Sequence, residues 1–179
     1  LDYISNGRLF FGIGYGWCVE EMRNHGLNYN ERREVLREKI LLMRELWTRD
    51  EAEFDGEIEK LEKSWSWPKP IQKPHPPIVL GGAVGKKTAQ HIAEFCDGWM
   101  PLGRYGDVKR GLNLIKDAAA KIGRNLDNFE LSMFCVAPIK QDQVMELSEQ
   151  GFNRIILPLP AEDAATVLPI LDKYSSLIQ

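Results

Sequence analysis

Two glycine-rich stretches, each directly after a short apolar run, hold the residues best suited to contact a ligand. The apolar run at 78–80 ends in Gly81 and Gly82, and a helical pattern begins a few residues later. Backbone N–H groups at such a turn, together with the positive end of the helix behind them, bind phosphate and carboxylate groups. We therefore predict an anion-binding loop here. The alternative is that the glycines only turn the chain, because short glycine motifs often occur without a ligand.

The other stretch lies near the start of the chain. The apolar run at 8–13 continues into glycines at alternate positions: Gly12, Gly14 and Gly16. Alternating glycine at the end of a strand lets a ligand or another backbone approach closely. A dinucleotide-binding fingerprint needs a third glycine where Trp17 stands, which argues against a Rossmann fold.

The cysteines and histidines do not form a metal motif. None lies at ligand spacing from another: Cys18, Cys96, Cys135, His25, His75 and His91. Cys96 and Cys135 sit among apolar residues, so we predict that both are buried free thiols. We predict no metal site.

Composition restricts the class of protein further. The chain has 179 residues, of which 44% are hydrophobic and 27% are charged, enough for one globular domain. A net charge of -3 gives no electrostatic footprint for nucleic acid or an anionic membrane. Neither a long apolar run nor a signal-peptide pattern is present, so we predict a soluble, cytoplasmic protein.

Strand and helix patterns alternate along most of the chain. Predicted strands lie at 8–13, 78–80, 99–102, 131–137 and 154–159. Predicted helices follow them at 31–48, 89–96, 108–122, 142–150 and 162–177, with Asp107 as an N-cap. Five strand–helix units predict a parallel sheet covered by helices. A complete (β/α)8 barrel needs eight strands and about 250 residues, more than are present here.

The segment 54–77 interrupts this alternation. Asp55 and Gly56 between apolar residues predict a hairpin, and five prolines predict a stiff, extended connector after it. We expect Trp65 and Trp67 in the connector to pack on the domain surface.

Several of these segments resemble one known family. The opening LDYISNGRLFFGIGYGW resembles the helix end and fourth strand, with its G-x-G-x-G-W pattern, of luciferase-like monooxygenases and F420-dependent oxidoreductases. The segment PKPIQKPHPPIVLGGA resembles the approach to the family's fifth strand. EFCDGWMPLG is similar to its D-G-W-x-P element, and GFNRIILPLP to its eighth strand. These motifs occur in the family's order along nearly the whole chain.

The resemblance implies an α/β fold, a partial TIM-type (β/α)8 barrel holding strands 4 to 8 within one incomplete domain, residues 1–179. It also implies that FMN or F420 binds at the C-terminal ends of the strands. Gly14 and Tyr15 match a loop that approaches the cofactor. Four further residues match the loop that binds its phosphate: Gly81, Gly82, Ala83 and Val84. The resemblance further implies that several of the family's catalytic residues lie on strands 1 to 3, which this sequence lacks, so none is assigned.

Barrel topology then selects candidates for a substrate pocket, because loops after strands form the active face. These candidates are Trp17, Cys18, Arg104 and Tyr105. Lys86 and Lys87 begin the helix after the glycine turn, where they either add charge for an acidic F420 tail or face solvent. The family implies two-electron redox chemistry on a small organic substrate, and the motifs favour the F420 branch.

Two alternatives remain open. GGAVGKKT superficially resembles a P-loop, but its glycines enclose three residues rather than four, and Lys86 is followed by Lys87 instead of Ser or Thr. The other alternative is a truncated, catalytically inactive barrel that binds a cofactor tail or associates with itself. A five-stranded sheet has two open edges, so we predict homo-oligomers formed through 8–13, through 154–159, or through both.

Overall fold

Five short parallel strands form the central sheet in the computed structural model, which describes residues 1–102 and 108–177. The sheet strands are β1 (Phe11–Ile13), β4 (Ile78–Gly81), β5 (Gly98–Met100), β6 (Glu130–Phe134) and β7 (Arg154–Ile156). The helices are α1 (Val19–Asn24), α2 (Arg32–Thr48), α3 (Lys86–Phe95), α4 (Val108–Lys121), α5 (Gln141–Glu149) and α6 (Ala164–Ser175). A two-stranded antiparallel hairpin, β2 (Ala52–Asp55) and β3 (Lys60–Ser64), lies between α2 and β4. The predicted alternation of strands and helices is confirmed.

The strands pair in chain order, β1-β4-β5-β6-β7, with every pair parallel. Gly12 lies opposite Val79, which lies opposite Gly98, and these paired residues point to the same side of the sheet. We call this side the inner face. The intervening residues, among them Leu80 and Trp99, are buried under the helices.

The sheet is strongly curved. In a flat five-stranded sheet, β1 and β7 would lie about 19 Å apart across four inter-strand spacings. The guanidinium of Arg154, the first residue of β7, instead lies 4.0 Å from the ring centroid of Phe10, just before β1. This contact brings the two edges of the sheet toward each other and gives it the curvature of a barrel wall.

The strands are shorter than the sequence predicts. The strand predicted at 8–13 spans only Phe11–Ile13, because the segment before its partner β4 contains Pro76 and Pro77, which lack the N–H groups that a longer ladder needs. The strand predicted at 154–159 ends at Ile156, two residues before the first proline of LPLP. The Asp107 N-cap lies outside the described residues.

The hairpin is confirmed, and α2 holds it in place. The carboxylate of Glu38, a buried residue in α2, accepts hydrogen bonds from the backbone N–H groups of Glu57, Ile58 and Glu59 at 2.8 to 3.0 Å. These donors hold the pKa of Glu38 below its usual value, Glu59 having the largest effect. Three consecutive N–H groups thus surround one carboxylate that the chain itself supplies.

The expected packing of the connector tryptophans is wrong. Trp65 is 78% exposed and Trp67 is 65% exposed. Lys69 covers part of the Trp67 ring, with its ammonium nitrogen 5.1 Å from the ring centroid, while its other contacts tie the connector to α2 through the carbonyls of Leu46 and Arg49. Backbone and lysine contacts therefore anchor the connector without burying its aromatic rings.

Candidate cofactor-binding site

The loop after β4 is held on both sides by β5. The N–H of Gly82 donates to the carbonyl of Met100 at 3.0 Å, and the carbonyl of Gly82 accepts from the indole Nε1 of Trp99 at 2.8 Å. Gly82 has φ of +120°, a conformation that side-chain-bearing residues rarely adopt. The glycine is therefore required for this path of the backbone, and both polar groups of its backbone are fixed.

The N–H groups that follow are free within the described part of the chain. Those of Ala83, Val84 and Gly85 donate to no other described residue. Gly85 is the N-cap of α3 and provides no side-chain cap, so the first turn of the helix is also open. Successive free N–H groups at the positive end of a ten-residue helix form a favourable environment for a phosphate.

The loop after β1 lies beside the β4 loop, because β1 and β4 are hydrogen-bonded neighbours. Gly12 and Gly14 leave the inner face of β1 without side chains, and a Cβ added to either would meet no heavy atom within 4 Å. A Cβ on Gly81 would lie 3.5 Å from the methyl carbon Cε of Met100 and 3.6 Å from the carbonyl oxygen of Ile13. The two predicted loops therefore meet at a surface formed by backbone and by the methyl group of Met100.

Tyr15 points away from this surface. Its hydroxyl lies 3.0 Å from Nδ1 of His91 in α3, and its ring lies beneath the guanidinium of Arg33 in α2. Burial raises the pKa of Tyr15 to about 12 and lowers the pKa of the buried His91. The hydroxyl therefore stays protonated and forms a hydrogen bond with a neutral imidazole. The backbone of Tyr15 belongs to the candidate site, while its side chain joins the loop to the helices.

The two lysines at the start of α3 differ in their surroundings. The ammonium of Lys87 lies 2.5 Å from the carboxylate of Glu34 in α2 and lowers the pKa of that carboxyl group. Lys86 is exposed and lines a groove between α3 and α4. Lys87 is thus paired with α2, while Lys86 extends along the groove between α3 and α4.

The predicted substrate-pocket residues lie in different surroundings. Trp17 is 85% exposed. Cys18 is the N-cap of α1, and its Sγ lies 3.6 Å from a carboxylate oxygen of Glu20. No basic partner contacts Cys18 among the described residues, so its contacts do not mark it as a nucleophile. Arg104 and Tyr105 lie outside the described residues.

Trp99 lies in the D-G-W-x-P element, but the sequence motifs assign it no role. Its position opposite Leu80 in the sheet directs it toward the helices, where it is buried. From there its indole reaches back to the Gly82 carbonyl. Only the alternation of side chains in β5, with Gly98 and Met100 on the other face, contained a signal for this orientation.

The described part of the two loops offers backbone groups to a ligand. The N–H groups at 83–85 have no acceptor among the described residues, while Glu34 and His91 are engaged on the helix side by Lys87 and Tyr15. Within residues 1–102 and 108–177, no three His, Cys, Asp or Glu side chains cluster as metal ligands. Over the same residues, no helix is long and apolar enough to cross a membrane.

Curvature of the sheet, helix-covered parallel strands and glycine-rich loops at the strand ends define a wall of a (β/α)8 barrel. The sequence profile of the luciferase-like monooxygenase family matches residues 1–165, and this chain belongs to that family. The resemblance drawn from the sequence motifs is confirmed.

Individual relatives include both F420-dependent and FMN-dependent enzymes. An uncharacterised protein of Mycobacterium tuberculosis is 38% identical, over 92% of this chain and 58% of its own length. An F420-dependent glucose-6-phosphate dehydrogenase of Amycolatopsis mediterranei is 29% identical, over 71% of this chain and 41% of its own. An FMNH2-dependent dimethylsulfone monooxygenase of Pseudomonas putida is 30% identical, over 55% of this chain and 28% of its own length. The chain spans less than two thirds of each relative.

The fold also matches solved structures of the family. Monooxygenase RslO1 from Streptomyces bottropensis superposes with a TM-score of 0.66 over 98% of this chain and 54% of its own. Its sequence identity is 21%, so the match shows the shared fold. The predicted partial barrel is confirmed.

Proposed function

We propose that this chain provides the phosphate-binding wall of the cofactor site in a deazaflavin- or flavin-dependent oxidoreductase, with F420 as the first candidate and FMN as the second. The whole protein would carry out two-electron redox chemistry on a small organic substrate. The observation that supports this proposal most directly is the set of free N–H groups at Ala83, Val84 and Gly85, placed at the end of a barrel strand and before α3.

Each part of the site has a separate role in this proposal. The N–H groups of the β4 loop and the start of α3 hold the phosphate, which is bound in its negatively charged form. Gly12 and Gly14 leave room for the rest of the cofactor along the inner face. The bound ring supplies the redox chemistry, and the chain orients it.

The order of the two cofactors rests on the motifs and on the relatives. F420-dependent glucose-6-phosphate dehydrogenases from several genera match this chain, one of them at 28% identity over 92% of this chain and 53% of its own length. The match to the FMNH2-dependent relative covers 55% of this chain. Both cofactors carry a phosphate, as a phosphodiester in F420 and as a monoester in FMN, so both fit the same backbone donors.

Equilibrium titration of the 179-residue chain tests the proposal. FMN is compared with riboflavin, which differs from it by the phosphate alone, and F420 with the deazaflavin that lacks both the phosphate and the tail attached through it. We expect one of the phosphate-bearing cofactors to bind at least about tenfold more tightly than its phosphate-free counterpart, since charge-assisted hydrogen bonds are the strong ones. Equal affinity for both members of each pair, or binding of no member, would contradict the proposal.

The self-association predicted through 8–13 and 154–159 stays a prediction. β1 and β7 are the two edge strands of the sheet within the described residues. We propose that an exposed edge pairs with a second copy of the chain, and light scattering at micromolar concentration tests this. A monomer across the concentration range would contradict it.

A further inference from the structure

The indole of Trp99 fixes the direction of a peptide group in the candidate phosphate loop. Its Nε1 donates to the carbonyl of Gly82 at 2.8 Å, from a ring that is only 2% exposed. The N–H of the same glycine is held separately by the carbonyl of Met100 at 3.0 Å. Both peptide groups that flank the Gly82 α-carbon are thus restrained by β5.

The consequence for the next residue follows from peptide geometry. In a planar trans peptide, the carbonyl of one residue and the N–H of the next point in opposite directions. Because the Gly82 carbonyl points to Trp99 in the helix layer, the Ala83 N–H points to the opposite, open side of the loop. That N–H is the first of the three that have no acceptor among the described residues.

We propose that Trp99 is a positioning residue for phosphate binding: its indole N–H orients the Gly82–Ala83 peptide so that the Ala83 N–H faces the cofactor phosphate. This inference rests on the proposed function and adds a residue that does not itself contact the ligand. Without the indole donor, the peptide can rotate, and the Gly82 carbonyl would lose its hydrogen-bond partner.

The position of the indole is itself fixed by α4. A Cβ added to Gly111 would lie 2.4 Å from the ring carbon Cη2 of Trp99 and within about 3.1 Å of its neighbours. The missing side chain at Gly111 is therefore a notch that admits the outer edge of the indole. Gly111 in α4 thus helps to fix the position of the indole, and the indole fixes the Gly82 carbonyl. The direction of that carbonyl in turn sets the direction of the Ala83 N–H.

The competing explanation is that Trp99 only fills the core, where it packs among buried apolar residues. Trp47 in α2 provides the matched comparison. Its ring packs edge-on against Phe11, with centroids 5.6 Å apart, and it makes no hydrogen bond to the β4 loop. Trp99→Phe and Trp47→Phe both shrink a packed indole, but only Trp99→Phe removes the donor to Gly82.

The test is a set of titrations on wild type, Trp99→Phe and Trp47→Phe, each as the 179-residue chain. F420, FMN and their two phosphate-free counterparts are the probes. We expect Trp99→Phe to weaken binding of the preferred phosphate-bearing cofactor by about tenfold, while affinity for the phosphate-free ring stays within about twofold. Trp47→Phe should leave the ratio of the two affinities unchanged even if it lowers stability.

The possible results separate the two claims. If wild type does not prefer the phosphate-bearing form, the proposed function fails, and the inference fails with it. If wild type has that preference and Trp99→Phe retains it in full, or loses affinity for both forms equally, only the positioning role of Trp99 is wrong.

A second measurement covers the case in which Trp99→Phe does not fold. The chemical shift and the hydrogen exchange of the Trp99 indole N–H in the wild-type chain, both followed by NMR, together report on its hydrogen bond to Gly82. We expect the Trp99 indole proton to be protected and the Ala83 amide to exchange quickly until the phosphate-bearing cofactor is added. Rapid exchange at Trp99, or an Ala83 amide that does not respond to the cofactor, would overturn the inference.

Discussion

Two loops of this protein each present three consecutive backbone N–H groups. In one loop these groups are hydrogen-bonded to a side chain of the protein, and in the other they have no acceptor among the described residues. In the β2–β3 hairpin, the N–H groups of Glu57, Ile58 and Glu59 all donate to the carboxylate of Glu38. In the β4 loop, those at 83–85 donate to no described residue. The same donor arrangement is filled by the chain in one place and left open in the other.

The contrast separates a structural use of backbone donors from a binding use. The hairpin has to be attached to α2, and a carboxylate on α2 satisfies its donors within the fold. The β4 loop is attached through Gly82 instead, and its remaining donors stay available for an anion that arrives from solvent. We call the N–H groups at 57–59, which bind Glu38, the filled cradle, and those at 83–85 the open cradle.

Emptying the filled cradle should have the largest effect on stability. Glu38→Gln replaces an acceptor of three hydrogen bonds by a neutral amide with one acceptor oxygen. We expect the free energy of unfolding, measured by urea denaturation, to fall by about 1–3 kcal/mol. Glu45→Gln on the same helix, which removes only an exposed pair with Arg49, should change it by less than about 0.5 kcal/mol. Equal effects of the two variants would show that the Glu38 cradle adds no stability.

The same carboxylate should make stability depend on acidic pH. Because the pKa of Glu38 is lower in the folded chain than its usual value of 4.5, its contribution is complete above pH 4.5 and is lost as pH falls through the folded pKa. We expect wild type to lose more stability than Glu38→Gln between neutral pH and the acidic side of that range. Parallel pH profiles for the two proteins would contradict this assignment.

Changing the shape of the open cradle should have the next largest effect. Gly82→Ala places a side chain at φ of +120°, which we expect to cost about 1–2 kcal/mol of stability and to weaken binding of the phosphate-bearing cofactor. Gly14→Ala is the matched variant, because its Cβ would meet nothing within 4 Å. Its stability should stay within about 0.5 kcal/mol, while affinity for the cofactor ring falls. Similar losses of stability in both variants would show that the positive φ of Gly82 does not distinguish it from Gly14.

Filling the open cradle from within should reproduce the arrangement of the hairpin. Ala83→Asp adds a carboxylate beside the free N–H groups and the positive end of α3. We expect stability to hold or rise slightly, and affinity for the phosphate-bearing cofactor to fall about tenfold through competition and charge repulsion. Ala83→Asn, similar in shape but neutral, is the control. An equal loss of affinity in both variants would indicate a steric cause instead of an electrostatic one.

The smallest effect should come from the contact behind the β1 loop. Tyr15→Phe removes the hydroxyl and leaves Nδ1 of the buried His91 without its hydrogen-bond partner. We expect a loss of about 0.5–1.5 kcal/mol in the free energy of unfolding, with phosphate discrimination unchanged. A change in that discrimination would mean that the Tyr15 side chain also acts on the site.

The sequence by itself determined the order of the elements. Apolar runs closed by glycine, such as the one that ends at Gly81, predict strands, and their alternation with helical patterns predicts the parallel sheet. The family motifs added the barrel, and they placed Gly81 and Gly82 at the end of a strand. These properties depend on neighbours in the chain, which is why the sequence alone reveals them.

Only the tertiary structure decided where side chains meet across the fold. Tyr15 reaches His91 across 76 residues of sequence, Trp99 reaches back 17 residues to Gly82, and Glu38 holds donors 19 to 21 residues further on. Each contact depends on which face of a strand or helix a residue occupies and on how the curved sheet brings two elements together. The glycine turn therefore predicted an anion site, while the packing of β5 and α4 determined which N–H groups it presents.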